Sequence, residues 1–259
     1  MKKIITTLCT LLFSVVVFSQ NWTKTTPASV TARATDRVIK PQQFNLTRLD
    51  VPSLLTVLNS SPVEFSARAA TAPAVLQLPM PDGSLKSFRV SESPIMEKGL
   101  ADKFPELKTY AGQGIDDPYS TVRMDYNPYF GFSAQILSPS GTIYIDPYAR
   151  GNKEFYQSYT AKDYRDAQKE IEPFVCHSDF AAPTEASLAG PCRGTQLFTY
   201  RLAVPCTGEY AVAATGLPSP TVAQTLARIV TTINRVTGIY ETEVAVRLIL
   251  IGTNNLIVF

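Results

Sequence analysis

The stretch Ser120–Tyr148, STVRMDYNPYFGFSAQILSPSGTIYIDPY, decides how the middle of the chain is read. Asn127-Pro128 and Ser138-Pro139-Ser140-Gly141 divide it into three apolar-rich runs, because Pro and Gly interrupt regular pairing and favour turns. In the last run Ile143 and Ile145 alternate with Tyr144, the period of a half-buried strand. Three such runs predict an antiparallel sheet. The tyrosines among them are read as strand formers rather than as a ligand-binding face.

Working outward, Val75–Val90, VLQLPMPDGSLKSFRV, places two apolar arms around Asp82-Gly83 and predicts a hairpin. Pro94 to Phe104 reads as a helix weakened in its middle by Gly99. Residues 75–159 are therefore expected to be an α+β unit, an antiparallel sheet with a helix. Residues 20–74, rich in Thr, Ser, Ala and Pro, read as a loosely ordered lead-in with at most a short helix at Ser53–Leu58. Residues 160–196 read as a polar linker carrying Pro173, Pro183 and Pro191, apart from a short helix at Ala161–Ile171. Exposed linkers of this kind are where proteases cut most easily.

The last section, 197–259, has the clearest pattern. Leu197–Val204 alternates as a strand, and CTGEY breaks it. Ser219-Pro220 then offers an N-cap with Pro at the first helical position, and Thr221 with Gln224 a capping box. Val222, Leu226, Ile229, Val230, Ile233, Val236 and Tyr240 form one apolar helical stripe. Val244–Ile251, VAVRLILI, is apolar on both faces apart from Arg247, as in an interior strand. Strand, helix and strand with a long crossover predict a parallel pair joined right-handed. Two strands and a helix bury too little apolar surface to offset chain entropy. The expectation is that further strands lie beyond Phe259 and that this domain is incomplete.

The N-terminus carries Lys2 and Lys3 before an apolar run, Ile4 to Phe18, and a compact site at Val17-Phe18-Ser19. This pattern predicts a secretory signal peptide over residues 1–19, cut between Ser19 and Gln20. The run is shorter than the roughly 20 residues of a spanning helix. A secreted, extracellular chain without a membrane span is expected. Over the whole 259 residues, 45% apolar and 18% charged content suits a globular protein, and a net charge of +2 argues against a nucleic-acid partner. Export permits disulfides. Cys9 falls in the leader, leaving Cys176, Cys192 and Cys206, an odd set. An extended Leu197–Val204, at about 3.3 Å per residue, holds Cys192 and Cys206 too far apart to pair.

His177 is the single imidazole, so no multi-histidine zinc cage can be assembled from this sequence. A Ser-His-Asp or Cys-His triad is not expected, because His177 would have to serve and lies in the linker, with no nucleophile-elbow sequence anywhere. No phosphate-cradling glycine motif is present. Asp116-Asp117, and Glu241 with Glu243, read as solvated turn and helix-end charges. No catalytic residue is assigned.

TYRLAVPCTGEYA (Thr199–Ala211) and TTINRVTGIYETEVAVRLILIGTNNLIVF (Thr231–Phe259) resemble the opening of the catalytic domain in secreted bacterial reprolysin-like zinc metallopeptidases, of the metzincin group; NRVTGIYETEVAVRL is the most specific segment. The resemblance implies a signal peptide, an α+β propeptide and then the opening β-α-β of an α/β metzincin-like catalytic domain. It implies zinc as the cofactor of the full-length enzyme and protein or peptide substrates. It also makes the enzyme's own catalytic domain the partner of the propeptide. The family's zinc motif, H-E-x-x-H-x-x-G-x-x-H, lies downstream of the matching segment, so the chain as given is expected to be inactive alone. Activation cleavage is expected within 160–196. Cys176 and Cys192 become candidates for a propeptide cysteine switch on zinc, or for a structural disulfide, and Cys206 a structural cysteine. A second reading is an exported non-enzymatic adhesion or inhibitor module with a degenerate peptidase-like remnant.

Overall fold

The computed structural model describes residues 21–30, 37–168 and 196–259. In chain order the first part comprises β1 (Trp22–Lys24), β2 (Asn45–Leu49), α1 (Val51–Ser60), α2 (Ala67–Thr71), β3 (Ala74–Pro79), β4 (Leu85–Glu92), α3 (Lys98–Ala101) and β5 (Lys108–Gly114). It continues with β6 (Thr121–Asn127), β7 (Gly131–Ser138), β8 (Gly141–Pro147), β9 (Phe155–Thr160) and α4 (Ala161–Ala167). The second part holds β10 (Phe198–Leu202), α5 (Gly208–Thr215), α6 (Val222–Val244) and β11 (Val246–Leu250).

Nine strands form one antiparallel sheet in the order β1-β2-β9-β8-β7-β6-β5-β4-β3. Short turns explain most of that order, because consecutive antiparallel strands pair as soon as a turn lets them. At the β6–β7 turn the Asn127 side chain accepts from the amides of Tyr129 (3.2 Å) and Phe130 (2.8 Å). Gly131 closes this turn at φ 81°, where a Cβ would meet the Tyr156 hydroxyl at 2.4 Å. The sheet curls until its two edges meet. Trp22 on β1 donates its indole N–H to Gln77 O on β3 (2.9 Å), and Asn45 on β2 donates to Met80 O (3.0 Å).

Strand alternation sends Val122, Met124, Phe132, Ala134, Ile136 and Ile145 into the hollow of the curl. Leu54 and Leu58 of α1 fill it from one side. Trp22, Phe132 and Tyr156 stack edge to face, with centroids 5.5–6.2 Å apart, under the point where β1 nears β3.

β10 and β11 pair in parallel, Tyr200 opposite Leu248, with α5 and α6 in the crossover. Thr221 caps α6 in a reciprocal capping box with Gln224, so the N-cap is Thr221 rather than Ser219. A second core gathers Leu226, Ile229 and Val230 of α6 with Ile95, Leu100, Leu107, Ala211 and Leu250. The stripe ends before its outer members: Val222 and Tyr240 are exposed.

The expected architecture is corrected here. The chain is not an α+β propeptide followed by an α/β metzincin-like domain; most of it is a nearly closed, barrel-like antiparallel sheet with a few helices. The reason is long-range pairing. β2, from the supposed lead-in, inserts beside β9, and β1 adds outside it. The helix expected over Pro94–Phe104 shrinks to Lys98–Ala101. The β10–α6–β11 unit has neighbours upstream of it. Beside Leu250, Ile95 O accepts its amide and Glu97 N donates to its carbonyl, both at 2.8 Å, and α6 lies on the curled sheet. Among the described residues no helix is long and apolar enough to cross a membrane. Ser19, Gln20, Cys176, His177, Cys192 and the linker beyond Gln168 lie outside the described residues.

Candidate functional site: a polar clamp on α6

The outward face of β6–β8 carries Arg123, Asp125, Asn127, Ser133, Gln135 and Asp146, all buried. The cover is the second stripe of α6, Ala227, Thr231, Asn234, Gly238 and Glu241, a three-four spacing of small and polar residues on one helical face. Small side chains let the helix settle onto the sheet, and polar ones meet the groups there.

The clamp runs in rungs. Thr231 Oγ1 lies 2.7 Å from Asp125 Oδ2, and Asn234 donates to Met124 O (3.0 Å). Arg235 reaches Asp146 Oδ1 at 2.6 Å, while Tyr159 donates its hydroxyl to Asp146 Oδ2 at 2.8 Å. Farther along, Glu241 bridges Arg123 and Arg247, and Arg247 also pairs with Glu64 beside α2. Arg123 donates as well to Ser93 Oγ at 2.7 Å. These four side chains are at most 19% exposed, so their pairing is shielded from solvent.

Asp125 is the anomalous member. Burial pushes its carboxyl up to about 6, against the opposing pull of Thr231, Arg235 and Asn127. The geometry suits a protonated acid. Thr231 Oγ1 is also 3.1 Å from Ala227 O, and one hydroxyl hydrogen cannot serve two acceptors fully. If Asp125 carries a proton, it donates to Thr231, which then donates to Ala227.

Gly238 sets the depth of the clamp. A Cβ there would lie 2.7 Å from Arg123 Cγ. Gly238→Ala should therefore lower stability by about 1–3 kcal/mol, as overpacking does, although alanine in a helix normally gains about 1 kcal/mol over glycine. Urea denaturation of the two proteins decides the sign. A cavity of about 610 Å³ opens beside this end of the clamp, between Arg89, Gly112, Arg123, Glu241 and Arg247. Phe65 stands at its lip, 82% exposed and at φ 60°, with the Arg247 guanidinium 5.4 Å from its ring centroid.

Of the residues singled out from sequence, Cys206 is buried in the second core, where its thiol donates to Thr207 O (3.2 Å) and burial raises its pKa. No described cysteine pairs with it. Asp116 and Asp117 hold their turn, accepting from Ser87 N (2.6 Å) and from Ser120 Oγ (2.5 Å). Glu241 does not fit the solvated reading: it sits inside the clamp. The signal that could have found it is the 227-231-234-238-241 spacing, which no apolar count registers. Comparison with known protein families, curated proteins and solved structures finds no match.

Proposed function

We infer that the chain is the front part of a secreted zinc-dependent endopeptidase precursor, in which the curled sheet acts as a prosegment restraining the β10–α6–β11 unit. One observation carries this reading. Four of the α6 residues that meet the sheet, Asn234, Arg235, Gly238 and Glu241, fall in Asn234–Leu248, the segment with the most specific likeness to reprolysin-like peptidases, while Thr231 lies just before it. Support also comes from the chemistry of the grip. On the face of α6 that meets β6–β8 it is built from charges and hydrogen bonds, beside the apolar core that α6 shares with Ile95, Leu100 and Leu107. Among the described residues no three His, Cys, Asp or Glu side chains are grouped to hold a metal. Zinc is therefore placed on none of them.

The test is to express the natural reading frame in a secreting host and follow processing, zinc content and casein hydrolysis. The expected result is a cut within residues 160–196, followed by hydrolysis that a chelator stops. A secreted product with neither cut nor chelator-sensitive hydrolysis overturns the reading in favour of an exported binding module.

A further inference from the structure

A second cavity, of about 290 Å³, opens at the other end of the clamp, where the β8–β9 turn, α5 and α6 converge. Its walls are apolar at Ile39, Phe130, Ala149 and Ala214, and two guanidinium groups, Arg150 and Arg228, face the space between them. Arg150 is partly engaged, donating to Ala213 O near the C-terminus of α5 at 3.1 Å. Arg228 is not. Among the described residues it makes no ion pair or hydrogen bond through its guanidinium, and its Nε is sealed from solvent without an acceptor. Its Cζ lies 3.7 Å from the centroid of the Phe130 ring.

A guanidinium Nε buried without an acceptor is costly, and such atoms are normally bonded. The nearby carboxylates do not solve this. Asp146 also lines the cavity, but its oxygens are taken by Arg235 (2.6 Å) and Tyr159 (2.8 Å). Asp125 is engaged by Thr231 and Asn127. Positive charge is left in surplus: Arg150, Arg228 and Arg235 face Asp146 and Asp125. Burial, the first cause, and the neighbouring Arg150 and Arg235 pull the Arg228 pKa down, while Asp146 and Asp125 only partly offset this.

We propose that the cavity between Arg150 and Arg228 is a binding site for a small carboxylate with a short apolar tail, of the size of one apolar amino-acid residue with a free carboxyl end. The planar fork of Arg228 matches a carboxylate, and Arg150 supplies the second charge. The apolar walls take the tail, and the volume is at the lower bound of small-molecule sites, about 300 Å³. The site is independent of the peptidase reading, since it uses no metal and no peptide bond.

The experiment is calorimetric titration of the chain with N-acetylleucine, N-acetylleucinamide, isovalerate and inorganic phosphate. N-acetylleucine and isovalerate should bind saturably, the amide at least tenfold more weakly, and phosphate more weakly than either carboxylate. If only N-acetylleucine binds, the source is a peptide terminus; if both do, a free acid suffices. Arg228→Gln should abolish binding without lowering the melting temperature, because it removes an unpaired charge. Ala214→Leu fills the cavity without touching a charge and should abolish binding as well. Equal binding of acid and amide, binding of phosphate alone, or undiminished binding by both variants overturns the site.

Discussion

Replacing Glu241 with alanine should cost the folded chain about 3–5 kcal/mol, read as a lower urea midpoint at unchanged slope. Glu241 is the shared anion of two guanidinium groups. Removing it leaves Arg247 with Glu64 and leaves Arg123, 5% exposed, with only the Ser93 hydroxyl. A buried cation that loses its partner retains its desolvation cost, and that asymmetry makes the loss large. The same principle predicts the rescue. Arg123→Met combined with Glu241→Leu should recover most of the stability, since an apolar pair of similar volume is often neutral or better. A loss under about 1 kcal/mol, the size of an exposed ion pair, would show that water reaches the rung and that the clamp is weaker than its geometry implies.

The hairpin about Asp82-Gly83, the strands of 120–148 and the capping box at Thr221 were legible because each is written in adjacent residues. The parallel pairing of β10 and β11 was legible for a related reason: the crossover helix between them leaves few alternatives. β1, β2 and β9 were not. They are short, and they are strands because of what they meet: Asn45 opposite Ser158, Trp22 opposite Leu49. Such pairings are more than a hundred residues apart in the first case and leave no local trace. The clamp was hidden differently. Arg123, Asp125 and Asp146 alternate with apolar residues, and alternation alone says that polar means solvent. It holds only for a sheet with one face covered. Here α6 covers the second face with polar groups of its own, so both patterns invert together, and neither betrays the inversion by itself.

Asp125 turns that inversion into a pH dependence. Its folded-state pKa, about 6, lies above the value of 3.8 for an unperturbed carboxyl. Below pH 3.8 the acid is protonated in folded and unfolded chains alike, and its contribution to stability is fully present. Between there and about pH 6 the unfolded chain gives up the proton more readily, so stability falls as pH rises, and above that window no further loss accrues. A shift of about two units corresponds to roughly 3 kcal/mol. The groups facing Asp125 are Thr231, Arg235 and, farther off, Arg228 on α6, Asn127 on its own strand and Asp146 on β8. Of these only Asp146 adds like charge, and Arg235 is committed to it. Asp125→Asn keeps the shape, donates to Thr231 as the protonated acid does, and cannot ionise. The variant and the parent should be alike near pH 4 and diverge as pH rises, the variant being more stable by about 3 kcal/mol at pH 7. Urea midpoints at intervals across that range measure the divergence. A constant difference would mean that Asp125 titrates as an ordinary carboxylate, with water reaching it between the sheet and α6.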